Sequence, residues 1–204
     1  QDLGGKSMIQ RVVEAAKASN PTLGVAVATD DVRIAEHIRP FCEVVMTDAN
    51  HPSGTDRCAE ALEALGWDCD VVVNLQGDEP FIKSEQVDLL LSAFENPNTE
   101  IATLKIGIGE PEEIQNPNVV KVVCDLNDQA LYFSRSPIPF NRNAAISGDG
   151  VQYYRHIGMY AFRTAALRKV AKLSPSKLEQ TEMLEQLRWL ENGMGIGEIG
   201  RAHV

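Results

Sequence analysis

Apolar residues recur along the chain at two alternating periods. Met8, Ile9, Val12, Val13 and Ala16 fall at helical spacing, and Asn20-Pro21 closes that segment. Gly24 to Thr29 is a short Val/Ala run that reads as a buried strand. Asp30 then offers a cap for a short helix through Val32, Ile34, Ala35 and Ile38. Glu43 to Thr47 reads as the next strand, and Cys58, Ala61, Leu62 and Leu65 mark a helix from about Thr55 to Gly66. Val71 to Leu75 is the most strand-like run, after which Ser84 caps a helix through Val87, Leu90, Leu91 and Phe94. Strand candidates then crowd together at Ile101 to Ile106, Val119 to Cys124, Leu131 to Ser134 and Tyr153 to Phe162. A final long helix spans about Lys177 to Glu191. Met183, Leu184, Leu187 and Leu190 form its core stripe, and Glu182, Glu185, Gln186 and Trp189 lie on another face, where spacing alone favours solvent.

Repeated βα units over the first hundred residues imply an α/β fold: a mostly parallel central sheet with helices on both faces. The later cluster of strands implies mixed pairing and a small subdomain or dimer surface, which the apolar run from Tyr153 to Phe162 would supply. With no internal repeat or long linker, one α/β domain is the economical reading.

Composition narrows the partners. The chain carries 19 Lys and Arg against 29 Asp and Glu, a net charge of −10. Broad binding to a phosphate backbone needs the opposite balance, so a nucleic-acid partner is excluded, whereas one local basic pocket is not. Apolar runs such as Val71 to Val73 are far too short to span a membrane, and no secretory signal opens the chain, so a soluble protein is expected. Cys42, Cys58, Cys69 and Cys124 lack the close spacing of a zinc knuckle or redox dithiol. Reduced, structural thiols and a cytoplasmic location follow as the default.

Polar clusters sit where open α/β sheets collect ligands, at the carboxyl ends of strands. Thr29-Asp30 follows the first strand. Ser53-Gly54-Thr55-Asp56-Arg57, preceded by His51-Pro52, leads into a helix. Gly54 permits close approach to the backbone, the hydroxyls and helix N–H groups suit an anion, and Arg57 adds charge. An ordinary N-cap loop would look the same, and no Walker ending follows. Asn74-Leu75-Gln76-Gly77-Asp78-Glu79-Pro80 ends a buried strand in an amide, a glycine and two carboxylates. Gln76 can read a base or ribose and Asp78 can hold Mg²⁺; equally, the two acids can cap a turn. Arg135, Arg142, Arg155 and His156 form a basic set suited to a carboxylated or phosphorylated small molecule, or to scattered salt bridges.

Taken together, these segments resemble the 3-deoxy-manno-octulosonate cytidylyltransferases, the CMP-Kdo synthetases. The resemblance rests on Gly5 to Ile9, Ala28-Thr29-Asp30, His51 to Arg57, Val73 to Pro80, Asn116 to Val123, Ala130 to Pro139, Arg155 to Tyr160 and Glu182 to Arg188. They keep the family's order across nearly the whole chain, and Gln76 to Pro80 and Glu182 to Arg188 are individually specific. It implies a Rossmann-like nucleotidyltransferase fold with a small mixed-strand dimerisation region, working as a cytoplasmic homodimer. The implied reaction moves CMP from CTP to the anomeric hydroxyl of Kdo, releasing pyrophosphate, for lipopolysaccharide synthesis. By resemblance Thr29, Asp30, Ser53, Gly54, Thr55, Arg57 and Gln76 surround the cytidine, Asp78 binds Mg²⁺, and Asp78 and Arg57 serve the transfer. Arg142, His156, Tyr160, Glu185 and Gln186 would hold the sugar acid, with Arg135 close by. Another sugar nucleotidylyltransferase and a non-catalytic nucleotide-binding fragment are the alternative readings.

Two departures are expected to matter. The family opens with a strand and a Pro-Ala-Arg…Pro-Gly-Lys loop that grips the triphosphate, and it closes with a segment supplying a second metal-binding Asp. Residues 1–198 read as one domain lacking both, so little or no transferase activity is expected of the 204 residues alone. Residues 199–204 do not resemble the family continuation and read as a non-native tail of translated adapter sequence.

Overall fold

Ser7 opens the first helix: its hydroxyl accepts the Gln10 N–H at 3.2 Å, and α1 (Met8–Ser19) follows. The computed structural model describes residues 4–20, 22–79, 81–142 and 151–200, which fall into two units. One comprises residues 1–95 and 159–172, the other residues 96–158 and 173–204.

In the first unit β1 (Ala26–Thr29) and β2 (Glu43–Met46) pair in parallel, Ala26 opposite Glu43 and Thr29 opposite Met46. The crossover that parallel pairing requires is made by α2 (Val32–Ile38). Val13, Val27 and Ile38 form the local core, with Ile9, Val25, Cys42 and Val44 against it. Full burial of such a side chain is worth about 1.5–3 kcal/mol. The cap of α2 is Asp31, whose Oδ1 accepts the Arg33 N–H at 2.8 Å, and not Asp30 as expected. Hydrogen bonds from the Arg33 side chain and then its N–H hold the Asp31 carboxyl down to about 2.

Ser53 caps α3 (Gly54–Leu65), and Gly66 ends it at φ 62°, a left-handed turn that glycine makes without strain. β3 (Val71–Asn74) follows, then α4 (Ser84–Ser92), which Ser84 enters as a helical residue; the Gln86 side chain accepts the N–H of Lys83 at 2.9 Å and so closes the turn. β3 pairs antiparallel with the end of a later strand, β7 (Tyr154–Arg163), Val71 opposite Arg163 and Asn74 opposite Tyr160. α6 (Thr164–Val170), which the periodicity did not reveal, completes this unit.

The second unit orders its strands β6 (Ala130–Ser134), β5 (Lys121–Cys124), β7, β4 (Ile101–Gly107) and β8 (Ile196–Gly200). β4 pairs in parallel with β8; β5 pairs antiparallel with both β6 and the start of β7. The α/β class holds, and the mixed pairing expected of these later strands is present, because β7 arrives without a βαβ crossover. β8 places Ile199 and Gly200 opposite Leu104 and Lys105; residues 201–204 lie outside the described residues. β7 is also central and not a surface: Met159, Ala161 and Phe162 are fully buried. A short α5 (Pro111–Gln115) with proline in its first turn was likewise not foreseen.

The long C-terminal helix is in fact two, α7 (Lys177–Glu182) and α8 (Gln186–Glu191). Between them Met183 adopts φ 54°, ψ 49°, a left-handed conformation that costs a non-glycine residue roughly 1–2 kcal/mol. The break rotates the second half. Met183 is 75% exposed instead of lying in the core stripe, while Trp189 and Gln186, expected on the solvent face, are buried.

Candidate functional site

The strand ends of the first unit converge on Arg57. The Thr29 hydroxyl accepts the Asp31 N–H at 3.1 Å, and the Thr29 carbonyl accepts the Thr47 N–H at 3.0 Å. With Asp31 committed to its helix, Asp30 faces Arg57, Oδ1 lying 3.2 Å from Nη1. The same Nη1 donates to the Thr47 hydroxyl at 2.6 Å. One guanidinium thus joins the exits of β1 and β2 to the first turn of α3. Its side chain remains 21% exposed, so it keeps donors for an incoming anion.

Ser53 realises the N-cap reading: its hydroxyl accepts the Asp56 N–H at 3.1 Å and donates to Asp56 Oδ2 at 2.5 Å. Beside it, the His51 ring hydrogen-bonds Glu60, and Glu60 also accepts the Asp48 N–H at 3.0 Å, fixing the approach to α3. The bond from His51 and then that from Asp48 hold the Glu60 carboxyl below its ordinary value.

Gly54 opens α3, and a side chain there would meet the end of β3 in ordinary contact. A Cβ there would stand 3.4 Å from Gln76 Nε2 and 4.0 Å from Asn74 Nδ2, so the start of α3 rests on the end of β3. Asn74 is 9% exposed and its Nδ2 has no hydrogen-bond partner. A buried donor left unpaired costs about 1–3 kcal/mol, a cost that a ligand acceptor would remove. By sequence the reading role falls to Gln76; Asn74 sits in the same cluster and Thr47 at a strand end, neither with a role of its own. The signal available for Asn74 was an amide closing an otherwise apolar Val71 to Val73 strand. Thr55 is buried beneath this corner.

Asp78 lies in the exposed turn closed by the Glu79 N–H on the Gln76 carbonyl at 3.3 Å; Pro80 is outside the described residues. No cluster of three or more His, Cys, Asp or Glu occurs among the described residues. Mg²⁺ retains waters and takes one or two carboxylates plus substrate phosphates, so a single open carboxylate at a strand end fits it.

The residues expected around a sugar acid divide differently. Tyr160 belongs to the first unit, directly opposite Asn74 across the β3–β7 ladder and therefore on the same face. The others belong to the second. Arg135 is not an open anion donor: its Nε donates to the Glu182 carbonyl at 2.7 Å, Nη1 to Pro117 at 3.0 Å and Nη2 to Met183 at 3.2 Å. His156 is buried, edge-on to Phe133, with Nδ1 3.5 Å from both the Thr103 hydroxyl and Glu198 Oε1. Arg155 pairs with Glu113 at 3.1 Å. Arg142 is exposed in a turn, Glu185 stands half-buried at the start of α8, 3.5 Å from Arg188, and Gln186 is buried beside it.

The four cysteines are free, and burial pushes the Cys58 thiol up to about 11. Among the described residues no helix is long and apolar enough to cross a membrane.

Comparison with known proteins adds family and fold. The sequence family described as cytidylyltransferase matches residues 1–196. A 3-deoxy-manno-octulosonate cytidylyltransferase of Bacteroides thetaiotaomicron is 50% identical, covering 97% of this chain and 82% of its own length. One from Thermodesulfovibrio yellowstonii is 47% identical over 95% and 80%. Among solved structures, a CMP:2-keto-3-deoxy-manno-octonic acid synthetase complexed with CTP matches with a TM-score of 0.91 at 40% identity, covering all of this chain and 82% of the other. A 4-diphosphocytidyl-2C-methyl-D-erythritol synthase of Anaerococcus prevotii shares the fold, with a TM-score of 0.64 at 13% identity over 99% and 83%.

Proposed function

Since the chain belongs to the family of 3-deoxy-manno-octulosonate cytidylyltransferases, we infer that its reaction is transfer of CMP from CTP to Kdo with release of pyrophosphate. The observation that carries this reading onto named residues is the corner of the first unit. There a shared guanidinium, a side-chain-free helix start and a buried unpaired amide meet at the strand ends.

Cytosine offers hydrogen-bond acceptors and a donor on one edge, which the Asn74 and Gln76 amides match. Gly54 admits the nucleotide close to the backbone, Thr29, Asp30, Ser53 and Thr55 frame it, and Arg57 offsets phosphate charge. Asp78 would hold Mg²⁺, which when bound neutralises charge on the triphosphate. The anomeric hydroxyl of Kdo attacks the α-phosphorus and pyrophosphate leaves in line, so the protein's task is positioning and charge neutralisation, without a covalent intermediate. Arg142, His156, Glu185 and Gln186 would receive the sugar acid, with Arg135 acting through the backbone it braces, and Tyr160 would stand on the nucleotide side.

The reading extends to a homodimer in the cytoplasm that contributes to lipopolysaccharide synthesis. Free cysteines suit a reducing compartment, and exposed Leu131 and Phe140 of the second unit are apolar surface that a second copy would cover. Titration calorimetry tests the core of the proposal. CTP should bind in the micromolar range and more tightly with Mg²⁺, and Asp78→Asn should remove the Mg²⁺ dependence while leaving metal-free CTP binding. Equal affinity for all four nucleotides, or an Asp78→Asn protein with the full Mg²⁺ effect, would contradict it.

A further inference from the structure

One buried network lies outside the reaction groups. The Lys121 side chain is fully buried on β5, and its ammonium donates to the carbonyls of Asn116 at 2.9 Å, Val119 at 2.6 Å and Arg135 at 2.5 Å. Lysine is almost never wholly buried unless its donors are met, and here three carbonyls meet them. They belong to the turn before β5 and to the exit of β6.

Glu182 closes the network from the other side. One carboxylate oxygen accepts the Ser134 hydroxyl at 2.6 Å and the other accepts the Arg135 N–H at 2.9 Å. The Arg135 guanidinium returns the contact, donating to the carbonyls of Glu182 and Met183 and, behind them, Pro117. The groups of this clamp lie on β5, the end of β6 and the residue after it, the turn before β5, and the last residue of α7 and the one after it.

What the clamp grips is the left-handed Met183. A residue other than glycine persists in that conformation when its surroundings over-determine it, and such positions are a reason to look for function. Without the break, the 3.6-residue period would carry α7 straight into α8 and turn Glu185 and Gln186 to a different face. The clamp ends two residues before Glu185.

We propose that Lys121 and Glu182 are positioning residues, acting through Arg135 and Met183 to set the orientation of Glu185 and Gln186 toward the sugar acid. This rests on the reading of Glu185 and Gln186 as Kdo contacts. Neither Lys121 nor Glu182 needs to touch substrate. Lys121 holds the Arg135 carbonyl, Arg135 holds the Met183 carbonyl, and Glu182 fixes the strand exit against which both are measured.

The test compares affinity for Kdo, measured by calorimetry with a non-transferable CTP analogue bound, with affinity for CTP alone. Glu182→Ala should weaken Kdo binding at least tenfold and leave CTP within twofold. Glu182→Gln, which keeps one acceptor, should stay within threefold of the unaltered protein. The double variant Glu182→Ala with Met183→Gly should recover at least threefold, because glycine enters the left-handed region unaided. Hydrogen exchange should quicken in Glu182→Ala at residues 182–188 and not in the first unit. Kdo affinity in Glu182→Ala within twofold of the unaltered protein, equal losses for both ligands, or no recovery in the double variant would overturn the positioning role. If the unaltered protein binds CTP but not Kdo, the functional reading of the sugar-acid side fails, and the proposal with it.

Discussion

Arg57 in the first unit and Arg188 in the second make similar contacts under different burial, and their uses diverge accordingly. Arg57 meets one carboxylate and one hydroxyl while keeping a fifth of its side chain in solvent. Arg188 is 4% exposed, donates to Glu179 at 2.8 Å and to the Leu173 carbonyl at 3.0 Å, and has no room for a ligand. The same contrast runs through the two units. Arg57 and Asp30 of the first lie at a strand end partly in solvent, whereas Lys121, Arg188 and Glu198 of the second are held in the interior. Between these two arginines, burial more than residue type decides which keeps donors within reach of solvent.

The largest effect should come from the buried member. Arg188→Ala strands Glu179, and loss of one partner from a buried pair costs about 3–5 kcal/mol. Thermal melts should show a fall of roughly 10 °C or more, while protein that remains folded binds CTP unchanged. Arg57→Ala should reverse the pattern. CTP affinity measured by calorimetry should fall about 100-fold, consistent with the ~1.5–3 kcal/mol of a hydrogen bond to a charged group. A change of similar size in both ligand affinity and melting for either variant would erase the distinction between the two arginines.

Glu198 sharpens the contrast from the other direction. It is fully buried on β8 and neither carboxylate oxygen has a hydrogen-bond partner; His156 stands 3.5 Å away. Burial pushes its carboxyl above the ordinary 4.5, with His156 pulling partly back. A carboxyl raised in the folded state favours folding fully below pH 4.5, and that contribution is lost as pH rises through the raised value. Glu198→Val should therefore stabilise the protein at neutral pH by about 2 kcal/mol, or roughly 4–8 °C in Tm, without altering CTP binding. Glu198→Gln should flatten the decline of Tm with pH above 4.5; an unchanged pH profile would show that the carboxylate is hydrated in the fold. The smallest expected effect is at Asn74. Asn74→Ala should weaken CTP about tenfold, or ~1.4 kcal/mol, by removing one amide donor.

The two units also differ in how far the sequence predicted them. Thr29, Gly54, Arg57 and Gln76 were legible because each lies within a few residues of an apolar run that fixes its place, and the strand-to-helix turns are local chemistry. Even there the cap expected of Asp30 falls to Asp31, because capping depends on which carboxylate the backbone turns inward. In the second unit the decisive contacts are long-range. Ser134 and Arg135 reach Glu182, 48 and 47 positions away, and break a helix that periodicity alone would continue. β8 was unreadable for a related reason. Its alternation of isoleucine with glycine and a glutamate becomes a strand through pairing with Ile101 to Lys105.

The β3–β7 ladder carries a consequence for how the chain is made. Val71 to Asn74 pair with Tyr160 to Arg163, and α6 follows directly, so residues 159–172 complete the unit that began at the N-terminus. During synthesis all of residues 96–158 must emerge before those partners exist. The strand that ends in the orphan amide of Asn74 therefore waits, with its edge unpaired, while the following unit is translated. Long sequence separation slows such pairing once both strands are present. A nascent chain stalled at residue 158 should show Val71 to Asn74 open to hydrogen exchange, and one stalled well beyond residue 172 should show them protected. The unit that carries the Arg57 corner is begun first and finished late.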